Sequence, residues 1–526
     1  MLETNRTHTY TLKNEGTDFQ YQNSDHWFTN LDKLIHYLKQ NGTINAFYST
    51  PSLYVDAKKK DTSVTWEVRQ DDIFPLADNA HHYWSGYFTS RPALKRQVRF
   101  ATNTLAAARQ LEVVSGITAE DVGKPTKLRA PRVGDSWTDA LEGAVGVATH
   151  HDGMSGTERQ DVTDDYEQRI AESAVEVEAG IEMSMAKLLG KSDIQISHCN
   201  CNNALNCLNI SYCKITSESD DFTVVAWNPI GQSSSSVFRI PVSASSSTTS
   251  MTVMTGDGTM LSSQLVEIDD RTKSLPLMYL NKFGMSASEI ENAEKELSNP
   301  ATHELVFQAD VPAIGLSTFH VSSSSESSNI NNNNKIEDDT TFTVSNEFYK
   351  LTFDKAKGEL TSIKNLKSNV ETSLSMNMGW YNSSVGGCTK YGSDVPKNIQ
   401  EPSCDSQKSG AYIFRPNSST FFYPGPSNAP VVTLTSQGDV VTEVSQVFSD
   451  WATAKYRLYV VINGTFSLFL SFSTLEHEAR ERLNSCSIVS LSLSLSCTHT
   501  HTRTHTHTAT QINRTSRWSG PWDQFP

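Results

Sequence analysis

Three short segments of the sequence place side chains that can do acid–base or metal chemistry beside predicted helices and strands. The first holds Asp18, in a Gly-Thr-Asp-Phe-Gln-Tyr run directly after a predicted strand. The second holds two adjacent carboxylates, Asp71 and Asp72, before an aromatic-rich run. Adjacent carboxylates repel each other, which favours keeping one of them protonated as a general acid. For both segments the alternative interpretation is a solvated aspartate that shapes a turn.

The third segment sets two imidazoles beside a carboxylate, in the run His150-His151-Asp152-Gly-Met-Ser-Gly-Thr. Imidazole and carboxylate groups bind zinc, but a catalytic zinc takes about three protein ligands, so further ligands must come from elsewhere in the fold. A histidine pair with a purely structural role is the alternative. The Gly-Met-Ser-Gly loop is too short for a phosphate-binding loop and lacks its lysine.

The elements that position these segments follow from hydrophobic periodicity, which predicts helices at 25–40, 92–114, 136–149 and 163–189. Ser24 is expected to cap the first helix and Gly42 to end it. A buried strand at 44–48 then continues an α/β rhythm. Alternation after residue 205 predicts antiparallel sheets. The predicted domains are the end of an α/β domain at 1–85, three helices at 86–195, a β domain at 205–321, a flexible polar linker at 322–339, a truncated β-sandwich at 340–480 and an unstructured tail at 483–526.

The predicted tail alternates Ser with Leu over 490–496 and Thr with His over 498–508. A translated dinucleotide repeat explains both runs, and a His-rich metal-binding tract is the alternative. The Ser-Leu alternation has the period of a β-strand, but no turn or partner strand is apparent in the sequence. We therefore expect the tail not to fold.

Composition excludes several functional classes. The net charge of −15 disfavours nucleic acid and anionic membranes as partners. No apolar run approaches the ~20 residues of a transmembrane helix, and no signal peptide is visible at the N-terminus. A cluster of four cysteines fits a disulfide hairpin better than a zinc motif of paired cysteines, and seven glycosylation sequons favour the secretory pathway. These observations together suggest that the true N-terminus is missing. The cysteines are Cys199, Cys201, Cys207 and Cys213, and the sequons begin at Asn5, Asn41, Asn209, Asn382, Asn417, Asn463 and Asn513.

Taken together and in this order, the segments 16–21, 71–96, 150–165 and 409–416 resemble glycoside hydrolase family 38, in its lysosomal α-mannosidase branch. The likeness covers about residues 5–470. It implies an α/β barrel-like catalytic domain, a three-helix middle domain and antiparallel β-sandwich domains. It also implies hydrolysis of terminal α-mannosides with retention, by one Zn²⁺ and two carboxylates.

Matching the motifs residue by residue implies a role for each candidate. Asp18 resembles the acid/base, with Asp72 as the alternative. His151 resembles a zinc ligand and Asp152 a contact to a mannose hydroxyl. The resemblance implies sugar contacts for two tyrosines, and a disulfide is expected first between Cys207 and Cys213, with Cys199 and Cys201 as competitors. The two tyrosines are Tyr412 and, more weakly, Tyr21.

The sequence departs from the family pattern upstream of Asp18. The family takes its other zinc ligands from a His-x-Asp motif and from the nucleophilic aspartate, both before the segment that holds Asp18. Here 17 residues precede Asp18, and they contain no His-x-Asp. We therefore expect the chain as written to be incomplete, inactive and without a tight zinc site. The resemblance implies mannose-containing oligosaccharides as partners and a lysosomal, vacuolar or secretory location, and the alternative is a non-catalytic truncated protein that binds glycans or regulates.

Overall fold

The computed structural model describes residues 2–4, 9–11, 20–42, 44–79, 82–123, 136–191, 193–198, 213–244, 250–270, 272–273, 288, 291, 301–324, 340–383, 409–417, 430–449, 452–460, 468–474, 487–496 and 509–510. The chain divides into two compact units, Met1–Phe74 and Pro75–Pro526. This division does not test the predicted domain ranges, which stay predictions. Within the described ranges, no helix is both long enough and apolar enough to cross a bilayer.

The first unit combines a small antiparallel sheet with two helices. Its elements are β1 (Leu2–Thr4), β2 (Thr9–Thr11), α1 (Ser24–Asn41), β3 (Ile44–Ala46) and α2 (Pro51–Lys59), and β1 pairs with both β2 and β3. Gly42 ends α1 with a left-handed φ of 72°, as predicted. The expected cap at Ser24 is wrong, because the helix begins at Ser24 and Asn23 takes the cap position without a side-chain hydrogen bond. These elements do not define a barrel, which stays a prediction.

The second unit begins with a hairpin and a helical region. The elements are β4 (Ala77–Asn79), β5 (His82–Tyr83), a 3₁₀ turn (Gly86–Phe88), α3 (Pro92–Ser115), α4 (Ala119–Val122), α5 (Asp139–Ala148) and α6 (Gln160–Leu188). The short α4 was not predicted. The helices bury Trp137 completely at their centre, and its indole Nε1 donates to the carbonyl of Ile117 at 3.1 Å. A Cβ at Gly180 would come within 2.7 Å of the Trp137 ring, so only glycine permits this close approach.

Two pairs of antiparallel sheets follow. The first strands are β6 (Asp221–Asn228), β7 (Ser234–Val242), β8 (Ser250–Thr255), β9 (Met260–Leu261), β10 (Ser263–Glu267), β11 (His303–Val311) and β12 (Gly315–Ser324), after a short α7 (Lys214–Glu218). They form sheets of order β10-β11-β7 and β6-β12-β8-β9. Rings of Phe238, Phe307 and Phe319 from the two sheets lie 5.0–5.4 Å apart in a shared core, which makes a sandwich. The expectation of helices followed by antiparallel sheets is confirmed.

The remaining strands form a second sandwich. They are β13 (Thr341–Ser345), β14 (Tyr349–Asp354), β15 (Glu359–Asn365), β16 (Val370–Asn382), β17 (Val431–Gln437), β18 (Val441–Ser449), β19 (Ala452–Tyr459), β20 (Leu468–Thr474), β21 (Ser487–Ser496) and β22 (Ala509–Thr510). The sheet orders are β13-β14-β15-β16-β21-β22 and β17-β18-β19-β20. Phe353 and Tyr456 meet edge to face at 5.2 Å between the sheets.

A buried charge network joins the two sandwiches. Glu443 on β18 accepts from Arg239 on β7 and from Arg457 on β19, each at 2.8 Å, and Arg239 also pairs with Glu304. Burial by itself raises the pKa of Glu443, but the two arginines outweigh burial and hold that pKa below its usual range. The network therefore depends on an ionised glutamate at neutral pH.

The structure corrects the prediction for the C-terminal tail. Ser487–Ser496 is not unstructured: it pairs with β16 in an antiparallel register from Ser373↔Ser496 to Asn382↔Ser487. The Ser-Leu alternation has the period of a strand, and its partner lies more than 100 residues upstream, where local sequence reasoning does not find it. The Thr-His run lies outside the described residues.

Two further predictions meet the structure only in part. β12 extends to Ser324, so the predicted linker begins inside a strand, and residues 325–339 lie outside the described residues. Cys213 is disulfide-bonded. Its pairing with Cys207 stays a prediction, since Cys207 lies outside the described residues.

Candidate functional site

A compact turn of residues 150–157 connects α5 to α6 and carries the His-His-Asp segment. Its backbone closes on itself, because the amide of Met154 donates to the carbonyl of His150 at 3.1 Å and the amide of Thr157 to the carbonyl of Asp152 at 3.0 Å. Gly156 has a φ of 75°, a conformation that favours glycine. The glycines and small side chains of the sequence are therefore what this turn requires.

The turn gathers three metal-ligating groups. The Nε2 atoms of His150 and His151 lie 3.2 Å and 3.6 Å from Oδ2 of Asp152, and the three ligand atoms all lie within 4.8 Å of one another. Imidazole nitrogens and a carboxylate oxygen are among the ligand types of zinc, so these three groups could together hold a metal ion. His151 is 85% exposed, which leaves the cluster open to solvent. The sequence prediction named His151 alone as a ligand, and the structure places the ring of His150 beside it, with ring centroids 4.2 Å apart.

The carboxylate of Asp152 is held from its other side. Thr157 donates through Oγ1 to Oδ1 of Asp152 at 2.9 Å, and Ser155 lies 2.9 Å from Thr157 while it also bonds to the carbonyl of His151. One oxygen of Asp152 thus faces the histidines and the other faces the turn. The arrangement presents an oriented carboxylate beside two imidazoles.

The start of α3 contacts the same turn. Ser90 donates to the carbonyl of Gly156 at 2.7 Å, and the Lys95 ammonium donates to the carbonyl of Met154 at 2.6 Å. Burial lowers the pKa of Lys95 to about 8, and nearby Glu158 opposes this shift. These contacts tie two segments that are about 60 residues apart in sequence.

Tyr412 lies on the opposite side of the same stretch of chain. Its carbonyl accepts from the amide of Gly86 at 3.1 Å, and its half-exposed ring meets Trp84 edge to face at 6.0 Å. The amide of Ser90 donates to the carbonyl of Gly86 at 3.1 Å, so Gly86 and Ser90 are one turn apart. The structure therefore brings the Tyr412 segment and the 150–157 turn to the two ends of one short stretch.

The other predicted site residues belong to the first unit. Tyr21 stacks on Trp27, with ring centroids 4.8 Å apart, and has a left-handed φ of 64°. Asp71 pairs with Arg69 at 2.5 Å, and Asp72 is exposed. Asp18 lies outside the described residues. The assignments of Asp18, Asp72 and Tyr21 stay predictions.

One partly buried carboxyl near the start of α6 was not predicted from the sequence. Burial, reinforced by Asp164, raises the pKa of Glu167 to about 7. The side-chain amide of Gln97 donates to the backbone carbonyl of Glu167 at 3.3 Å. Sequence reasoning had no signal for this group, because its burial depends on α3 packing against α6.

Two regions of the second unit match models of known protein families. Residues 82–188 match the family described as "Alpha mannosidase middle domain", and residues 344–513 match "Glycosyl hydrolases family 38 C-terminal domain". A probable alpha-mannosidase of Arabidopsis thaliana is 35% identical over 478 residues, covering 84% of this chain and 41% of the relative. An alpha-mannosidase of Canavalia ensiformis is 32% identical over 450 residues, covering 84% and 41%. The lysosomal alpha-mannosidase of Mus musculus is 32% identical over 459 residues, covering 86% and 39%. The chain thus spans about two fifths of the length of these relatives.

Proposed function

We propose a function for this chain from its family, because it belongs to glycoside hydrolase family 38. The proposed function is that of a part of a zinc-dependent α-mannosidase, which acts on terminal α-mannosyl residues of glycans. The observation that carries the proposal is the 150–157 turn, which lies inside the matched middle domain and sets two imidazoles against an oriented carboxylate. The relatives' names support the substrate class. The name of the mouse relative, a lysosomal alpha-mannosidase, also supports a lysosomal location.

His151 is the proposed zinc ligand, with His150 as a second donor on the same face. When bound, zinc would hold sugar hydroxyl oxygens and stabilise developing charge as a Lewis acid. Asp152 is proposed to accept a hydrogen bond from a mannose hydroxyl, because Thr157 fixes its orientation at 2.9 Å. Tyr412 is proposed to contact the sugar ring, because its side chain is 38% exposed and its backbone bonds to Gly86, one turn before Ser90. Tyr21 is proposed as a further sugar contact.

Retaining hydrolysis needs two carboxyl groups about 5–5.5 Å apart, one as nucleophile and one as acid/base. Asp18 is the proposed acid/base and Asp72 the alternative. No His-x-Asp motif precedes Asp18 in the 526 residues. We therefore propose that the 526-residue polypeptide, assayed by itself, does not cleave mannosides.

The test uses the protein as cells make it, purified and identified by peptides from residues 82–188. We expect hydrolysis of an aryl α-mannoside that a chelator abolishes. His151→Ala removes a proposed direct ligand, so it should lower zinc affinity or activity by at least the roughly 10- to 100-fold that loss of a partner outside the ligand shell costs. His198→Ala is the matched control, because His198 pairs with Glu182 at 3.1 Å and makes no described contact with the turn. Mannose binding without any hydrolysis would favour the non-catalytic alternative instead.

Two further variants decide between the acid/base candidates. Loss of a general acid costs about 10²- to 10⁴-fold in rate. Asp18→Asn should show this loss and Asp72→Asn should not. The reverse result would move the role to Asp72, and hydrolysis by the isolated 526-residue chain would contradict its proposed inactivity.

A further inference from the structure

We propose that Ser90, Arg91 and Lys95, at the start of α3, are positioning residues that hold the 150–157 turn in the shape that presents His151 and Asp152. The interpretation of that turn as a site rests on the proposed function. The contacts themselves do not, because they are properties of this chain's fold. None of the three side chains needs to touch substrate or metal to fulfil this role.

The first argument is the pattern of acceptors. The carbonyls of residues 154, 156 and 158 each accept a hydrogen bond from one of these side chains, at 2.6 Å from Lys95, 2.7 Å from Ser90 and 2.9 Å from Arg91. The acceptors recur every second residue, so the donors bond along one side of the segment that leaves the turn. Three donors from one short stretch fix both the position and the direction of that segment. Hydrogen bonds with a charged donor are stronger than neutral ones, and two of these three are of that kind.

The second argument is the backbone of Arg91. Its φ of 51° and ψ of 61° are left-handed, and a proline follows it. Non-glycine residues rarely adopt this conformation, and a following proline disfavours helical values further. Such strained residues persist where their surroundings hold them, and they cluster at functional sites.

The surroundings of Arg91 supply that restraint. Its guanidinium donates to the carbonyl of Glu158 and, at 2.6 Å, to the side chain of Gln160, and it lies 3.5 Å from the Glu158 carboxylate. The Glu158 side chain is 3% exposed and accepts from Thr163 at 2.5 Å. The strained backbone therefore aims a forked donor at a buried acceptor group directly after the turn.

The third argument is that residues 86–90 contact both the Tyr412 segment and the 150–157 turn. Gly86, one turn before Ser90, bonds to the carbonyl of Tyr412, and a Cβ there would overlap the carbonyl oxygen of Gly410. A Cβ at Gly156 would likewise overlap the carbonyl oxygen of Ser90. A shift of residues 86–90 would therefore move both candidate sugar-contacting segments, so this stretch sets their relative placement.

The test records the ¹³Cε1 NMR signals of His150 and His151 in the full 526-residue chain, assigned with His150→Gln and His151→Gln. The two rings lie 4.2 Å apart, so their ring-current shifts respond to small changes in the turn. We expect Arg91→Met and Arg91→Gly to shift both signals, and Arg91→Lys to restore them in part. Arg109→Met is the matched control, because Arg109 also lies on α3 but pairs with Glu142, and it should leave both signals in place.

Arg91→Gly removes the guanidinium and also relieves the backbone strain at residue 91. A shift of the histidine signals in this variant therefore reports the lost hydrogen bonds and not strain introduced by the substitution. Unchanged histidine signals in this variant would overturn the proposal. If Arg91→Met does not fold, Lys95→Met and Ser90→Ala carry the test with the same expected shifts. In the active enzyme, Arg91→Gly should lower kcat/KM by about 10- to 100-fold. The NMR result stands even if no hydrolysis is found, so failure of this proposal is distinguishable from failure of the mannosidase proposal.

Discussion

Gly156 allows the sharpest test of how the 150–157 turn is held. An alanine there must adopt a φ of 75°, which costs about 1–2 kcal/mol for a residue with a Cβ. Its Cβ would also lie 2.8 Å from the carbonyl carbon of Ser90 and overlap the carbonyl oxygen. Overpacking of this kind costs about 1–3 kcal/mol, so Gly156→Ala should destabilise the turn by about 2–5 kcal/mol in all.

Gly190→Ala is the matched control, because Gly190 has a φ of 66° and open space around its Cβ position. It carries the backbone strain without the contact, so the difference between the two variants isolates the contact with Ser90. A difference of about 1–3 kcal/mol corresponds to roughly 5- to 150-fold in an opening equilibrium. Unfolding free energies of the two variants measure this difference. Hydrogen exchange followed by mass spectrometry on peptides covering 149–159 should accelerate in Gly156→Ala and stay unchanged in Gly190→Ala, whose strain lies at the end of α6. Equal exchange of this peptide in both variants would refute the packing argument.

Buried Glu443 and partly buried Glu167 give pH-dependent predictions, both measured as thermal unfolding midpoints across pH. Glu443→Gln removes the described counter-charge of Arg457 and one of the two carboxylates that pair with Arg239, and it should cost up to about 3–5 kcal/mol at pH 7. Because the folded pKa of Glu443 is depressed, its stabilisation is present above the unfolded value of about 4.3 and is lost as pH falls through the folded pKa, so variant and wild type should converge in acid. A constant difference across pH would contradict this. Glu167 has the opposite sign: its pKa of about 7 in the fold makes ionisation costly, so Glu167→Gln should stabilise by up to about 3 kcal/mol at pH 8 and by nothing below about pH 4.5. Destabilisation at pH 8 would refute it.

The helices show how far local pattern reaches. The spacing of Leu94, Val98, Ala101, Leu105 and Ala108 predicted a buried face, and the structure buries all five. α1, α3 and α6 lie within three residues of their predicted bounds. Periodicity succeeds here because a helix repeats its contacts every three or four residues, so the information lies inside the element.

α1 shows the limit of the same argument. Its apolar side chains recur at helical spacing, yet none of its residues is buried in the structure, and Phe28 and Leu34 are about half exposed. A hydrophobic pattern determines which face of a helix is favoured for burial, but it does not determine which other element packs against that face. The predicted Ser24 cap failed for a related reason, since several polar residues there compete for the cap position.

The sequence by itself determined the chemistry at hand: the adjacent imidazoles and carboxylate of 150–152, the small residues of their turn, and the family resemblance that orders them along the chain. Only the tertiary structure decided that the ligand atoms of His150, His151 and Asp152 lie within 4.8 Å of one another, that Ser90 and Lys95 donate to carbonyls more than 55 residues away, and that the Ser-Leu run pairs with β16. The physical reason is the distance along the chain over which each contact acts. Side-chain type and local turn geometry are properties of a few neighbouring residues, whereas burial, long-range hydrogen bonds and strand partners depend on which distant elements pack together.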